Sequence, residues 1–292
     1  MRRHRMMGAF LLWLAAGPAP GQVAEDAAWT VLDRGVANTR VLQRSQALAA
    51  LSTLGTKPRA VRRVEAALAD KDWSVRQAAV VALGQMQAKA SVAKLQPLLQ
   101  DEAPEVSFAA AKVLWDLGDR SGHDLLLDVL TGDRRDSPGL VRSQIREARS
   151  KLRNPTGLLL MGAKEGVGMV FGPASTGITV MEELLKDNAA SARVVAATLL
   201  ATDSDPSASQ ELVWALEDHN WIVRAAAAKS LGLHGDRTLI PKLQEHLTDD
   251  REAVRYMAAA SIVSLTPPPP KPPAPPKRRP APAKVPAKAP EK

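Results

Sequence analysis

Acid–base or metal chemistry in this chain would have to start from His123, His219, His234 and His246, the histidines beyond the opening segment. None belongs to an H-E-x-x-H pattern, which would set two imidazoles on one helix face for a metal, and no His-Glu dipeptide occurs. His219 and His246 fall near expected turns and are read as solvated. Serines are present, but no G-x-S-x-G sets a nucleophile on a strand-to-helix turn. The glycines of 157–177 lack the G-x-x-x-x-G-K-[ST] phosphate cradle, and Gly166-Val-Gly168 alone does not replace it. The absence of cysteine excludes disulfides, thiolate metal sites, a thiol nucleophile and a lipidated N-terminal cysteine. We therefore assign no catalytic, metal or cofactor-binding residue, and the chain is expected not to be an enzyme.

The spacing that does recur joins an aspartate to an arginine six residues later. Residues 218–232, DHNWIVRAAAAKSLG, match residues 70–84, DKDWSVRQAAVVALG, at eight of fifteen positions. Further copies are Asp136/Arg142, Asp187/Arg193 and Asp249/Arg255, beside Asp70/Arg76 and Asp218/Arg224; Asn38/Arg44 and Asp101/Ser107 are degenerate. The seven arginine-equivalent positions are separated by 32, 31, 35, 51, 31 and 31 residues, so the period is that of a two-helix unit.

The elements that position these pairs follow from apolar spacing. In the last unit Leu239, Ile240, Leu243 and Leu247 form the face of a first helix that Asp249-Asp250 ends, and Val254, Ala258, Ile262 and Leu265 form the face of a second. Alanines recur in every second helix, at 78–79, 109–111, 196–197, 225–228 and 258–260, and small side chains let neighbouring helices approach closely. One such hairpin cannot bury its apolar face alone, so the units must stack. Pro104, Pro138 and Pro206 suit a first helical turn, Asp205 and Asp236 suit caps, and Pro97 is expected to kink a first helix. Aromatic residues are 3% of the chain, so the core must be Ala, Leu and Val. The fold class is all-α, an α-solenoid of about seven two-helix repeats.

The D-x5-R spacing joined to V-R-x-A-A-x-x-A-L-G resembles the HEAT repeats of bacterial proteins, especially the short type also found in phycobilisome lyases, and the likeness covers about 25–265. It implies a structural ladder in which the loop aspartate and helix arginine bond neighbouring repeats. In this chain that ladder would use Asp70, Arg76, Asp136, Arg142, Asp187, Arg193, Asp218, Arg224, Asp249 and Arg255, with Ser107 as a gap. It also implies a binding scaffold. HEAT-type iron hydroxylases take ligands from His-Glu pairs, which this chain lacks, and HEAT-like DNA glycosylases use a basic concave surface.

Charge argues against a nucleic-acid partner. The net +8 is carried by residues 1–21 at +3 and 266–292 at +6, which leaves 22–265 at −1. Residues 1–21 have a basic start, an apolar run from Gly8 to Ala16 and a small-residue end at Ala19-Pro20-Gly21, the pattern of a cleaved secretory signal. The protein is thus expected to be exported, periplasmic or secreted, and soluble. Residues 266–292 hold twelve prolines and read as a disordered Pro/Lys-rich tail, with possible weak contact to anionic envelope polymers or lipid.

Two features are candidates for binding a protein or peptide ligand. The first is the pair Trp73 and Trp221, which occupy the same position in units four apart, roughly 40 Å at about 10 Å per step. They pack over a neighbouring turn or anchor an extended ligand. The second is the Gly-rich insertion 154–177, with six glycines and the apolar Met169, Val170 and Phe171. It either plugs the joint between units or protrudes as a contact site. An alternative function places an enzyme-accessory or lyase-like activity near this insertion.

Overall fold

The computed structural model describes residues 20–131, 188–203 and 205–267. Among them every regular element is helical. The α-helices are α1 (Pro20–Val36), α2 (Val41–Ser52), α3 (Pro58–Ala66), α4 (Trp73–Gln85), α5 (Val92–Leu95), α6 (Pro104–Asp116) and α7 (His123–Thr131), followed by α8 (Asn188–Leu199), α9 (Pro206–Ala215), α10 (Trp221–His234), α11 (Ile240–Glu245) and α12 (Glu252–Leu265). Short 3-10 turns extend α3, α5, α8 and α11. Odd-numbered helices through α7, with α9 and α11, are the first helices of the hairpins, and the even-numbered ones are the second. The expected insertion with Met169, Val170 and Phe171, the ladder residues Asp136, Arg142 and Asp187, the leader up to residue 19 and the tail beyond Pro267 lie outside the described residues. The first helix starts at Pro20, inside the span read as a leader.

Local chemistry sets the helix ends. Pro58, Pro104 and Pro206 stand in first turns, where a missing N–H is no loss. Asp72, Asp205 and Asn220 cap α4, α9 and α10 by accepting the backbone N–H of Ser74, Ser207 and Ile222. Asp236 does the same for Thr238. Gly235, at φ 86°, closes α10 in the left-handed conformation that glycine adopts without a Cβ clash. The kink expected at Pro97 is a change of helix type: α5 stops at Leu95 and continues as a 3-10 turn over Gln96–Gln100.

The apolar stripe of each second helix is buried completely, as at Val75, Ala79 and Leu83 on α4 and Ala227 and Leu231 on α10. The glycine that ends V-R-x-A-A-x-x-A-L-G has a direct packing role. A Cβ built on Gly84 would stand 2.9 Å from Val113 Cγ2 on α6, and one on Gly232 would stand 2.4 Å from Ser261 Oγ on α12. In both places the next second helix rests on the missing side chain.

The second helices stack in the spatial order α8, α10, α12, α2, α4, α6. The last helix of the described chain therefore lies beside the first hairpin. α12 packs against α10 on one side and against α1 and α2 on the other. This closure explains why α2 is buried along Gln43–Ser52 although Gln43, Arg44, Ser45 and Gln46 are polar: it is enclosed by α1, α3, α4 and α12. Along this stack Trp73 and Trp221 are three steps apart rather than four, or roughly 30 Å at about 10 Å per step.

Candidate functional site

The repeated aspartate–arginine pairs form staples between hairpins. Arg76 sends Nη1 to the carbonyl oxygen of Asp70 in its own loop (3.0 Å), while Nε and Nη2 grip the Asp101 carboxylate of the next unit at 2.8 and 2.7 Å. Arg224 repeats the pattern, with Nη1 on Asp218 O at 3.0 Å and both other nitrogens 2.8 Å from Asp249. Arg193 holds Asp218 at 2.8 and 3.2 Å. Arg76 and Arg224 thus each bond the backbone of their own loop and the side chain of the following loop. The same carboxylates shape their loops by accepting the N–H two residues on, at Asp72, Ala103, Asn220 and Arg251. A planar fork meeting a carboxylate is the strong, oriented form of ion pair.

Two positions differ from the expected ladder. Arg44, the member with asparagine in its loop, is a full staple: its Nη1 bonds Asn38 O and Thr39 O, and its fork holds Asp70 at 2.8 and 2.9 Å. Arg255 bonds Asp249 O in its own loop, but its other contact is Glu252 on the same helix at 3.3 Å. Ser107, the gap, is buried and turns its hydroxyl to Pro104 O within its own turn.

His246 is a correction to the reading of solvated histidines. It is buried, with Nδ1 3.7 Å from Asp249 and Nε2 3.5 Å from Glu217, because the 3-10 turn after α11 folds it under the Arg224 staple. His219 is exposed, as read. Burial alone would raise the Asp249 pKa, but hydrogen bonds from His246, Arg224 and the Arg251 N–H outweigh it and hold the carboxyl far below the usual range. Asp101 is likewise lowered: burial opposes, and the Arg76 fork with the Ala103 N–H prevails. A folded pKa below the unfolded one stabilises the native state above the unfolded value, near 3.9, and this contribution is lost as pH falls further. The urea midpoint of the protein is therefore expected to exceed that of Asp249→Asn at pH 6, with the gap closing below about pH 4. An equal gap at pH 3 and pH 6 would remove Asp249 from the acid response.

The two candidate tryptophans have different surroundings. Trp73, first residue of α4, is 45% exposed, whereas Trp221, first residue of α10, is 8% exposed and part of the continuous core. Trp221 is thus not an available anchor. A ring at the first position of a second helix stands at the rim of its own hairpin, so its burial depends on the neighbouring unit, which the shared motif does not specify. Two tryptophans without a repeated position are available instead: Trp214 on α9 and Trp115 on α6, 61% and 41% exposed. The Trp115 ring carries the Arg120 guanidinium 3.6 Å from its centroid and stacks with His123 at 6.2 Å. On α10, burial lowers the pKa of the half-buried Lys229. These exposed rings stand on a stapled framework, where a bound chain could cover them without reordering the helices.

The family comparison agrees with this architecture. A family model for HEAT repeats matches residues 61–149 and 178–263. Human deoxyhypusine hydroxylase in complex with glycerol is similar at 20% identity over 85% of this chain and 99% of that chain, with a TM-score of 0.31. The complex of CpcE and CpcF of phycocyanin lyase from Nostoc sp. PCC7120 is similar at 17% identity over 90% of this chain and 100% of that chain, with a TM-score of 0.32. No curated protein matches the chain.

Proposed function

Since the chain belongs to the HEAT-repeat family, we propose that it is a non-catalytic scaffold that binds a protein or peptide ligand and acts in the cell envelope or the secreted space. The observation that carries the binding role is the combination of a stapled helical framework with large exposed rings at Trp73, Trp115 and Trp214. The aspartates and arginines of the repeated motif are consumed in holding hairpins together, whereas Trp73 and Trp214 take part in no staple and Trp115 stays 41% exposed beside Arg120 and His123. Tryptophan buries much apolar area at little cost in side-chain entropy, which is why it is enriched where interfaces gain most of their energy. The extracytoplasmic setting is supported by the three-part pattern of residues 1–21.

The test is capture of ligands from an envelope fraction by the purified protein and by Trp73→Ala, Trp115→Ala and Trp214→Ala. At least one substitution is expected to reduce retention of the same captured polypeptide about tenfold or more, the size of an interface hot spot, with an unchanged thermal melt. Turnover of a small molecule by the purified protein, or capture indifferent to all three changes, would refute the reading.

A further inference from the structure

Among the described residues, the junction between α12 and the first hairpin is built differently from the others. The pairs α2/α4, α4/α6, α8/α10 and α10/α12 each carry an arginine fork on a carboxylate of the following unit. At the closing junction the arginine is Arg255 and the loop residue that corresponds to those aspartates is Asn38. Asn38 keeps the loop-shaping half of the role, since its Oδ1 accepts the Arg40 N–H at 2.9 Å. It has no carboxylate to offer, and Arg255 turns instead to Glu252 of its own helix at 3.3 Å.

A second set of contacts replaces the fork. Tyr256, the only tyrosine in the chain, follows Arg255 directly, and its side chain is buried at this junction. Its ring lies over Gly35 so closely that a Cβ there would stand 2.6 Å from Tyr256 Cε1 and 2.7 Å from Ala47 Cβ. Lys57 adds one bond across the junction, Nζ to Val263 O at 2.8 Å. Ring packing and one bond from an ammonium to a neutral carbonyl thus stand where the other junctions have a bidentate pair of opposite charges. The pair α10/α12 and the pairs on either side of α4 also join consecutive units of the chain, whereas the partners at this junction are 206 residues apart.

We infer that the junction of α12 with α1 and α2 is the latch at which this array opens: Asn38, in place of an aspartate, leaves it without a staple, and the packing of Tyr256 on Gly35 holds it shut. Opening would separate residues 20–131 from 188–267 while the junctions inside each stay shut, and would uncover the apolar faces that α1 and α12 turn to one another.

The absence of cysteine makes the test direct. Spin labels on Thr56→Cys and Ser264→Cys, both exposed positions near the Lys57–Val263 bond, report the latch; Gln85→Cys and Asp116→Cys report the stapled α4/α6 junction. Pulsed-resonance distances in the full chain are expected to show a short main population and a long minor one for the latch pair. Tyr256→Ala and Gly35→Ala should each raise the long fraction several-fold, and Asn38→Asp, which offers Arg255 the missing carboxylate, should lower it several-fold. The α4/α6 pair should keep one short distance in all variants. A single short population at the latch in every variant, a long fraction indifferent to Asn38→Asp, or lengthening of both pairs together would overturn the inference.

Discussion

Arg224→Ala is expected to destabilise the protein by about 3–5 kcal/mol, the range for removing one partner of a buried ion pair. The fork holds Asp249 with two 2.8 Å bonds, and the two side chains are 13% and 6% exposed. Without it Asp249 remains buried as an anion with the Arg251 N–H bonded to it and the His246 ring 3.7 Å away. The Asp218 carbonyl also loses a donor at 3.0 Å. For a chain of this size each kcal/mol moves the melting temperature by about 2–4 °C, so a fall of roughly 10 °C is expected. Arg224→Lys should recover little, because an ammonium cannot present two parallel donors to one carboxylate. Arg255→Ala serves as the internal comparison: with no carboxylate of another unit in its grip, it should cost under about 1 kcal/mol, as exposed pairs do. Equal, small effects of the two alanine variants on the urea midpoint would show that the staples do not hold the stack.

The second large effect is steric. Gly232→Ala places a methyl group 2.4 Å from Ser261 Oγ, 2.6 Å from its Cβ and 2.9 Å from its Cα. The serine is held where it is by donating its hydroxyl to Ala228 O at 2.7 Å, so relief requires α10 and α12 to separate. Overpacking of this kind costs about 1–3 kcal/mol or somewhat more, and the backbone contact puts this site at the upper end. Ser261→Gly in the same chain should recover part of the loss, since it removes two of the three colliding atoms. Gly84→Ala should be milder: its nearest neighbours are the Val113 methyls, which can rotate away. Thermal melts of the three variants give the ranking. If Gly84→Ala were the worse of the two, helix contact at the motif glycine would not be what the motif protects.

Much of this was legible because the repeat is written several times. The Asp/Arg spacing and the alanine runs placed the hairpins, and apolar periodicity located the second helices. The direction of the staple was not legible. A spacing of six names residues in one unit, but Arg76 reaches its own Asp70 through the backbone and uses its charge on Asp101, a contact made across space. The closure was hidden for a related reason: Asn38 reads as a degenerate copy, and only the packing of α12 against the first hairpin brings it to a junction without a fork. The burial of His246, read as solvated, and the choice between a packed and an exposed ring at Trp221 and Trp73 were not legible, because burial at a turn or rim is decided by the neighbouring hairpin. Their own flanking residues do not encode it.

The closure also sets an order of events when the chain is made. In most repeat arrays each hairpin finds its neighbour as soon as the next few dozen residues exist, so assembly proceeds by local steps. Here α1 and α2 emerge first, yet one of their flanks stays wet until α12 follows; the bond from Lys57 awaits a carbonyl 206 residues downstream. Through most of synthesis the surface at Gly35 that the Tyr256 ring covers stays open, an uncovered apolar patch of the sort that draws nascent chains into wrong associations. The first hairpin synthesised is thus one of the last to be completed.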